Sequence, residues 1–86
     1  MLQNYITEEN RIYLPDENWN ILAEVTFEKI NDEIYNIDHT FVASSLRWQG
    51  IANKLVENAV DYIHSKWYEA SATCSYAKKW LNKNKK

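Results

Sequence analysis

The chain has 86 residues, 45% hydrophobic, 14% aromatic and 26% charged, with a formal net charge of -2 at pH 7. That length holds one core and no second lobe, so one domain over residues 1–86 is expected, and the composition excludes disorder, collagen-like repeats and low complexity. No run approaches the ~20 apolar residues of a membrane span; Met1 to Tyr5 lack the basic and apolar blocks of a secretory signal, and Cys74 is the only cysteine, so a cytoplasmic chain without disulfides is expected.

Residues 2–6 read as a first strand reversing at Thr7-Glu8-Glu9, and residues 11–14 as a second ended by Pro15. From residue 20 to 28, Ile21, Ala23, Val25 and Phe27 share one parity and Glu24, Thr26 and Glu28 the other, which predicts a half-buried strand. After the polar pair Asn31-Asp32, residues 33–42 alternate again: Tyr35, Ile37, His39 and Phe41 share one face, Asn36, Asp38 and Thr40 the other. The period then changes. Ile51, Leu55, Val56, Ala59, Tyr62 and Ile63 recur at helical spacing, predicting an amphipathic helix over 49–66. Residues 68–73 alternate as a last strand, and 75–81 suit a short helix.

The order strand-strand-strand-strand-helix-strand-helix predicts an α+β fold with a mixed, mostly antiparallel sheet. A strand, helix and further strand in one sheet require a right-handed crossover, so the strands at 33–42 and 68–73 are expected as parallel neighbours. Ligands favour the carboxyl ends of such strands. Those ends are Val42 and Cys74. Charge is divided along the chain as well: residues 1–45 carry two basic residues against nine acids, a net of -7, and residues 46–86 eight against three, a net of +5. The basic half suits phosphate and the acidic half an amine, although solvated faces give the same pattern.

The only glycine, Gly50, stands where strand gives way to helix, beside Arg47. A glycine there lets the backbone approach a ligand, and the free N–H groups of a first helical turn form an anion site; easing a tight turn is the alternative role. Arg47-x-x-Gly50-x-Ala52 is similar to the R/Q-x-x-G-x-G/A motif of the GNAT superfamily of acetyl-CoA-dependent N-acetyltransferases. Ile37-Asp38-His39-Thr40-x-Val42, Leu46-Arg47-x-x-Gly50-Ile51-Ala52-x-Lys54-Leu55-Val56 and Cys74-Ser75-Tyr76-Ala77-Lys78 extend the likeness to the minimal, single-lobed branch of that superfamily, over residues 4–82. The family commonly has proline near Ala43 and a small residue at Trp48. The resemblance implies a GNAT-like sheet whose parallel pair splays around acetyl-CoA or coenzyme A. The pyrophosphate would rest on Arg47, Trp48, Gln49, Gly50, Ile51 and Ala52 and the pantetheine along Val42. It implies acetyl transfer to an amine acceptor, a small molecule or a peptide, with Tyr76 as general acid toward the departing thiolate.

Two further side chains suit that chemistry. His39 carries an imidazole, the side-chain type suited to taking a proton at neutral pH, and lies three residues before its strand ends, as a base or as a core histidine. Cys74 precedes a helix whose dipole favours thiolate, so it is a nucleophile with His39 as its base or else a small buried hydrophobe. Lys78, Lys79, Lys83, Lys85 and Lys86 make the chain end basic, to meet coenzyme phosphates or as a solvated tail. Histidines at 39 and 64 and the cysteine at 74 match no metal spacing, and a net acidic chain without a nucleic-acid motif argues against nucleic acid. A second reading is a non-catalytic acyl-CoA-binding or protein-interaction module, favoured by Trp48 and the missing substrate lobe.

Overall fold

The change of period after residue 42 divides the chain as the sequence predicts. In the computed structural model, which describes residues 5–47 and 49–84, the elements are β1 (Ile6–Thr7), β2 (Arg11–Pro15), β3 (Ile21–Lys29), β4 (Ile34–Val42), α1 (Ile51–Ser65), β5 (Glu69–Ala72) and α2 (Ser75–Lys83). The sheet order is β1-β2-β3-β4-β5, antiparallel except for β4 and β5, which run parallel. Of the first expected strand, Ile6 pairs with Tyr13, the pairing runs on to Thr7 with Ile12, and the expected residues 2–4 lie outside the described residues. Its reversal sits at 8–10, where the Glu8 amide donates to the Arg11 carbonyl at 2.7 Å and the Arg11 Nε to the Glu8 carboxylate at 2.8 Å.

Both helices cover one face of the sheet. Ile51, Leu55, Val56, Ala59, Val60 and Ile63 of α1 and Ala77 and Trp80 of α2 share one core cluster with Ile12, Leu14, Ala23, Val25, Phe27 and Ile37. Burying one Leu, Ile or Val side chain contributes about 1.5–3 kcal/mol, so packing of this stripe, more than helix propensity, holds the 15-residue α1. In β3 only odd positions are buried, while Leu22, Glu24 and Thr26 look to the face without helices. Ile21, expected with the buried set, is 36% exposed, because the β2–β3 register shifts between Leu14 and Pro15. Among the described residues no helix is long and apolar enough to cross a membrane.

α1 ends in a left-handed turn at Trp67, whose φ is 69°. The Trp67 amide donates to the His64 carbonyl at 3.0 Å and the Tyr68 amide to the Ile63 carbonyl at 3.2 Å, the paired bonds of a Schellman motif. Glycine usually holds that position; here an indole does, 95% exposed.

The alternation expected along β4 breaks in the middle. Phe27 pairs with Ile37 but Thr26 pairs with His39, so Asp38 is one residue too many for its partner strand. This β-bulge reverses parity. Tyr35 and Ile37 are buried, Asp38 and His39 are both exposed, and beyond them Val42 turns to the core while Phe41, 41% exposed, turns away. The expected common face of Tyr35, Ile37, His39 and Phe41 is therefore corrected, and the core reading of His39 falls with it. The Thr26 hydroxyl donates to the Asp38 carboxylate at 2.6 Å, which holds the extra residue on the open face.

Candidate active site

Parallel pairing of β4 with β5 stops at Ile37 and Ala72. The Ile37 carbonyl then accepts from two amides, Thr73 at 3.1 Å and Cys74 at 3.3 Å, and no further rung follows. β4 goes on to Val42 while β5 gives way to α2, so the strands part at their carboxyl ends, where the sequence places the ligand.

Beyond the gap lies a cavity of about 290 Å³ lined by Val42, Leu46, Arg47, the helix start from Gly50 to Asn53, and Tyr76. The chain reaches it through a short 3-10 turn, Ser44–Leu46, and enters α1 at Gly50, whose φ of 74° is left-handed. That angle is what requires glycine here, since a non-glycine residue costs about 1–2 kcal/mol in it. Among the described residues, its chain neighbours aside, no atom lies within 4 Å of where a Cβ would stand at Gly50, so the backbone there is bare. No side chain caps α1 and its first turn holds no acid, so the amides of Ile51, Ala52 and Asn53 have no acceptor among the described residues. Free amides, the positive end of the helix dipole and the exposed Arg47 guanidinium, whose Nε reaches the Val42 carbonyl at 3.4 Å, make an anion-binding corner.

Of the residues the sequence singled out for coenzyme, the structure brings Val42, Arg47, Gly50, Ile51 and Ala52 to this cavity. Gln49 is exposed and turns back, its Nε2 donating to the Ser45 carbonyl at 3.5 Å. Trp48 lies outside the described residues. Tyr76, 40% exposed on the first turn of α2, faces the cavity from the opposite side. The sequence missed Leu46 and Asn53. Asn53 reads as polar helix surface, but its Oδ1 accepts from the Trp80 indole Nε1 at 2.8 Å, tying the start of α1 to α2.

Cys74 caps α2 from an extended backbone and packs, partly buried, against the core. Its Sγ lies 3.5 Å from the Thr40 hydroxyl. Thr40 is the residue the bulge carries to the Cys74 side, and the signal for it was hidden behind the unbroken alternation of residues 33–42. Burial pushes the Cys74 thiol up, but the Thr40 hydroxyl, the amides of Ala77 and Tyr76 and the Thr40 backbone outweigh it, so the thiol sits below its ordinary value. The thiol closes no full capping hydrogen bond onto α2, so those amides act on it as dipoles rather than as a formed cap. His39 is not brought to this thiol: it pairs with Thr26, on the face where Phe41 pairs with Glu24. The site therefore has two sides, Cys74 and Thr40 toward the helices and His39 toward the open face.

A family model described as GCN5-related N-acetyl-transferase matches residues 11–86. The protein NATD1 of Homo sapiens is 31% identical over 62 residues, 72% of this chain and 55% of its own length, and that of Gallus gallus is 31% identical over 62 residues and 56% of its length. The chain thus spans little more than half of these relatives. The solution structure of a GCN5-like candidate N-acetyltransferase from Staphylococcus aureus superposes with a TM-score of 0.77 at 34% identity, covering 94% of this chain and 79% of that one. An aminoglycoside acetyltransferase from an uncultured soil metagenomic sample, in complex with sisomicin, shares the fold at 18% identity, with a TM-score of 0.63 over 93% of this chain and 60% of its own. With the splayed parallel pair and the glycine-led helix start already in place, these matches settle the relationship: the chain belongs to the GCN5-related N-acetyltransferase family, the GNAT family.

Proposed function

We propose that the protein is an acetyl-CoA-dependent N-acetyltransferase of the cytoplasm, acting on an amine of a small molecule or peptide. The observation that carries this is the cavity at the mouth of the parted strands, which joins Arg47 and the α1 amides that have no acceptor among the described residues to Val42 and Tyr76. The donor set fits a coenzyme A thioester, an anion joined to an apolar arm, because the cavity joins a cationic, amide-rich corner to an apolar wall of Val42, Leu46 and Ile51. Bound acetyl-CoA would supply an activated acetyl group. Arg47 and the main chain from Trp48 to Ala52, Gln49 included, would hold its diphosphate, and Val42 would line the arm. The Tyr76 phenol would give its proton to the departing thiolate. The Cys74 sulfur, kept partly as thiolate by Thr40 and the α2 amides, would be the nucleophile that accepts the acetyl group. An amine would then attack the acetyl group on Cys74, the N–C bond forming as the C–S bond breaks, with the sulfur returning to thiolate and the amine's proton restoring the Tyr76 phenol; His39, on the open face, stands outside this step.

Thermal denaturation with coenzyme A and acetyl-CoA tests the cofactor, because a ligand held at about a hundred times its Kd adds ~2.7 kcal/mol to the folded state. No rise in Tm at millimolar ligand overturns the proposal. Intact-mass measurement after acetyl-CoA treatment tests the thiol route: one acetyl group is expected on Cys74 and none on Cys74→Ala. A second reading, acyl-CoA binding without turnover, is favoured by the separation of His39 from Cys74 on opposite sides of β4. A ligand-induced Tm rise with no acetylated product across a panel of amines would select it.

A further inference from the structure

A second recess adjoins the cavity and shares two of its walls. It encloses about 200 Å³ and is lined by Asn53 and Tyr76, which also line the first, together with Lys79, Trp80, Lys83 and Asn84. Tyr76, Lys79, Trp80 and Lys83 stand at i, i+3, i+4 and i+7 of α2, so they form one stripe along the helix. Trp80 is 7% exposed and fixed by its bond to Asn53, whereas both lysines are exposed. Neither lysine has an acidic partner among the described residues, and α2 itself contains no acid. Two unneutralised ammonium groups one turn apart on a rigid wall repel each other slightly, and a phosphate between them removes that cost.

We propose that this recess is the subsite for the nucleotide end of the coenzyme, with Lys79 and Lys83 binding the 3′-phosphate of its adenosine. The inference rests on the coenzyme reading above and adds to it where the far end of that molecule goes. In coenzyme A the phosphorylated ribose follows directly on the diphosphate, and the recess follows directly on the corner of Arg47 and Gly50, across Asn53. The pantetheine leaves the diphosphate in the other direction, along Val42 toward Thr40 and Cys74. Lysine suits this task, since a long apolar stem can rest on the wall of such a recess while its ammonium stays in water near the ligand.

The test compares coenzyme A with 3′-dephospho-coenzyme A, which lacks only that phosphate, by isothermal titration calorimetry on the full chain. The wild type should bind coenzyme A roughly tenfold more tightly, the scale of one charge-assisted pair. Lys79→Gln with Lys83→Gln should abolish the preference and leave the affinity for the dephospho form unchanged, while Lys78→Gln, off the stripe, should keep it. Equal wild-type affinity for the two ligands, or a preference that survives the double substitution, overturns the subsite. Failure of both ligands to bind overturns the coenzyme reading itself, an outcome separate from the loss of preference alone.

Discussion

The two halves of β4 differ as sharply as any two regions of the molecule. Residues 34–37 are bonded on both sides, to β3 and β5, and Tyr35 and Ile37 point into the core. Residues 38–42 are bonded on one side only, and their alternation runs in the opposite phase. A single extra residue, Asp38, separates them. The first half is scaffold: its backbone groups are paired and its side chains filled in around. The second is left with an unpaired edge toward β5, where Val42 lines the cavity and Thr40 meets Cys74. A sheet that builds a site inside itself must give up rungs to do so, and here the loss is confined to the residues after one shared carbonyl.

The comparison can be broken most severely at its buried half: Ile37→Ala should lose about 2–5 kcal/mol in urea denaturation, whereas Phe41→Ala, four residues on, should lose less than about 1 kcal/mol. Similar losses at both positions would erase the contrast. At Gly50, alanine should cost about 1 kcal/mol from the left-handed backbone and should weaken coenzyme binding, because it adds a side chain to backbone that lines the cavity. Calorimetry on that variant reads both effects. The smallest change is expected at Thr40. Removing its hydroxyl in Thr40→Val raises the Cys74 thiol, leaves less thiolate at neutral pH and slows alkylation by iodoacetamide, while Thr40→Ser keeps the wild-type profile. Since the folded thiol lies below its unfolded value, its contribution to stability is present above the unfolded value and fades as pH falls through the folded one. The wild type's advantage over Thr40→Val should therefore grow at alkaline pH.

The sequence carries the order of elements because the period of its apolar residues changes from two to 3.6 after Val42 and back again near residue 68. It carries the anion corner because one glycine and one arginine stand at the start of the only long amphipathic stretch. The bulge is invisible there. Tyr35, Ile37, His39 and Phe41 continue an unbroken alternation, and only the register of β3 against β4 shows that Asp38 has no partner of its own. Thr40 is hidden for the same reason, and His39 was matched to Cys74 across a strand that in fact separates them. Asn53 escaped notice because its role depends on α2 lying beside it, a tertiary contact that no local pattern announces.

The terminator of α1 also leaves the molecule headroom. At Trp67 a bulky ring occupies a backbone angle that suits glycine, and it buries almost nothing in return. Replacing it with glycine should add about 1 kcal/mol by relieving that strain. The turn stands at the far end of the sheet from Gly50 and Cys74, so a gain there would leave the ligand end untouched. It is a natural first substitution for anyone who needs a hardier version of this fold for crystallography or for carrying riskier changes in the site.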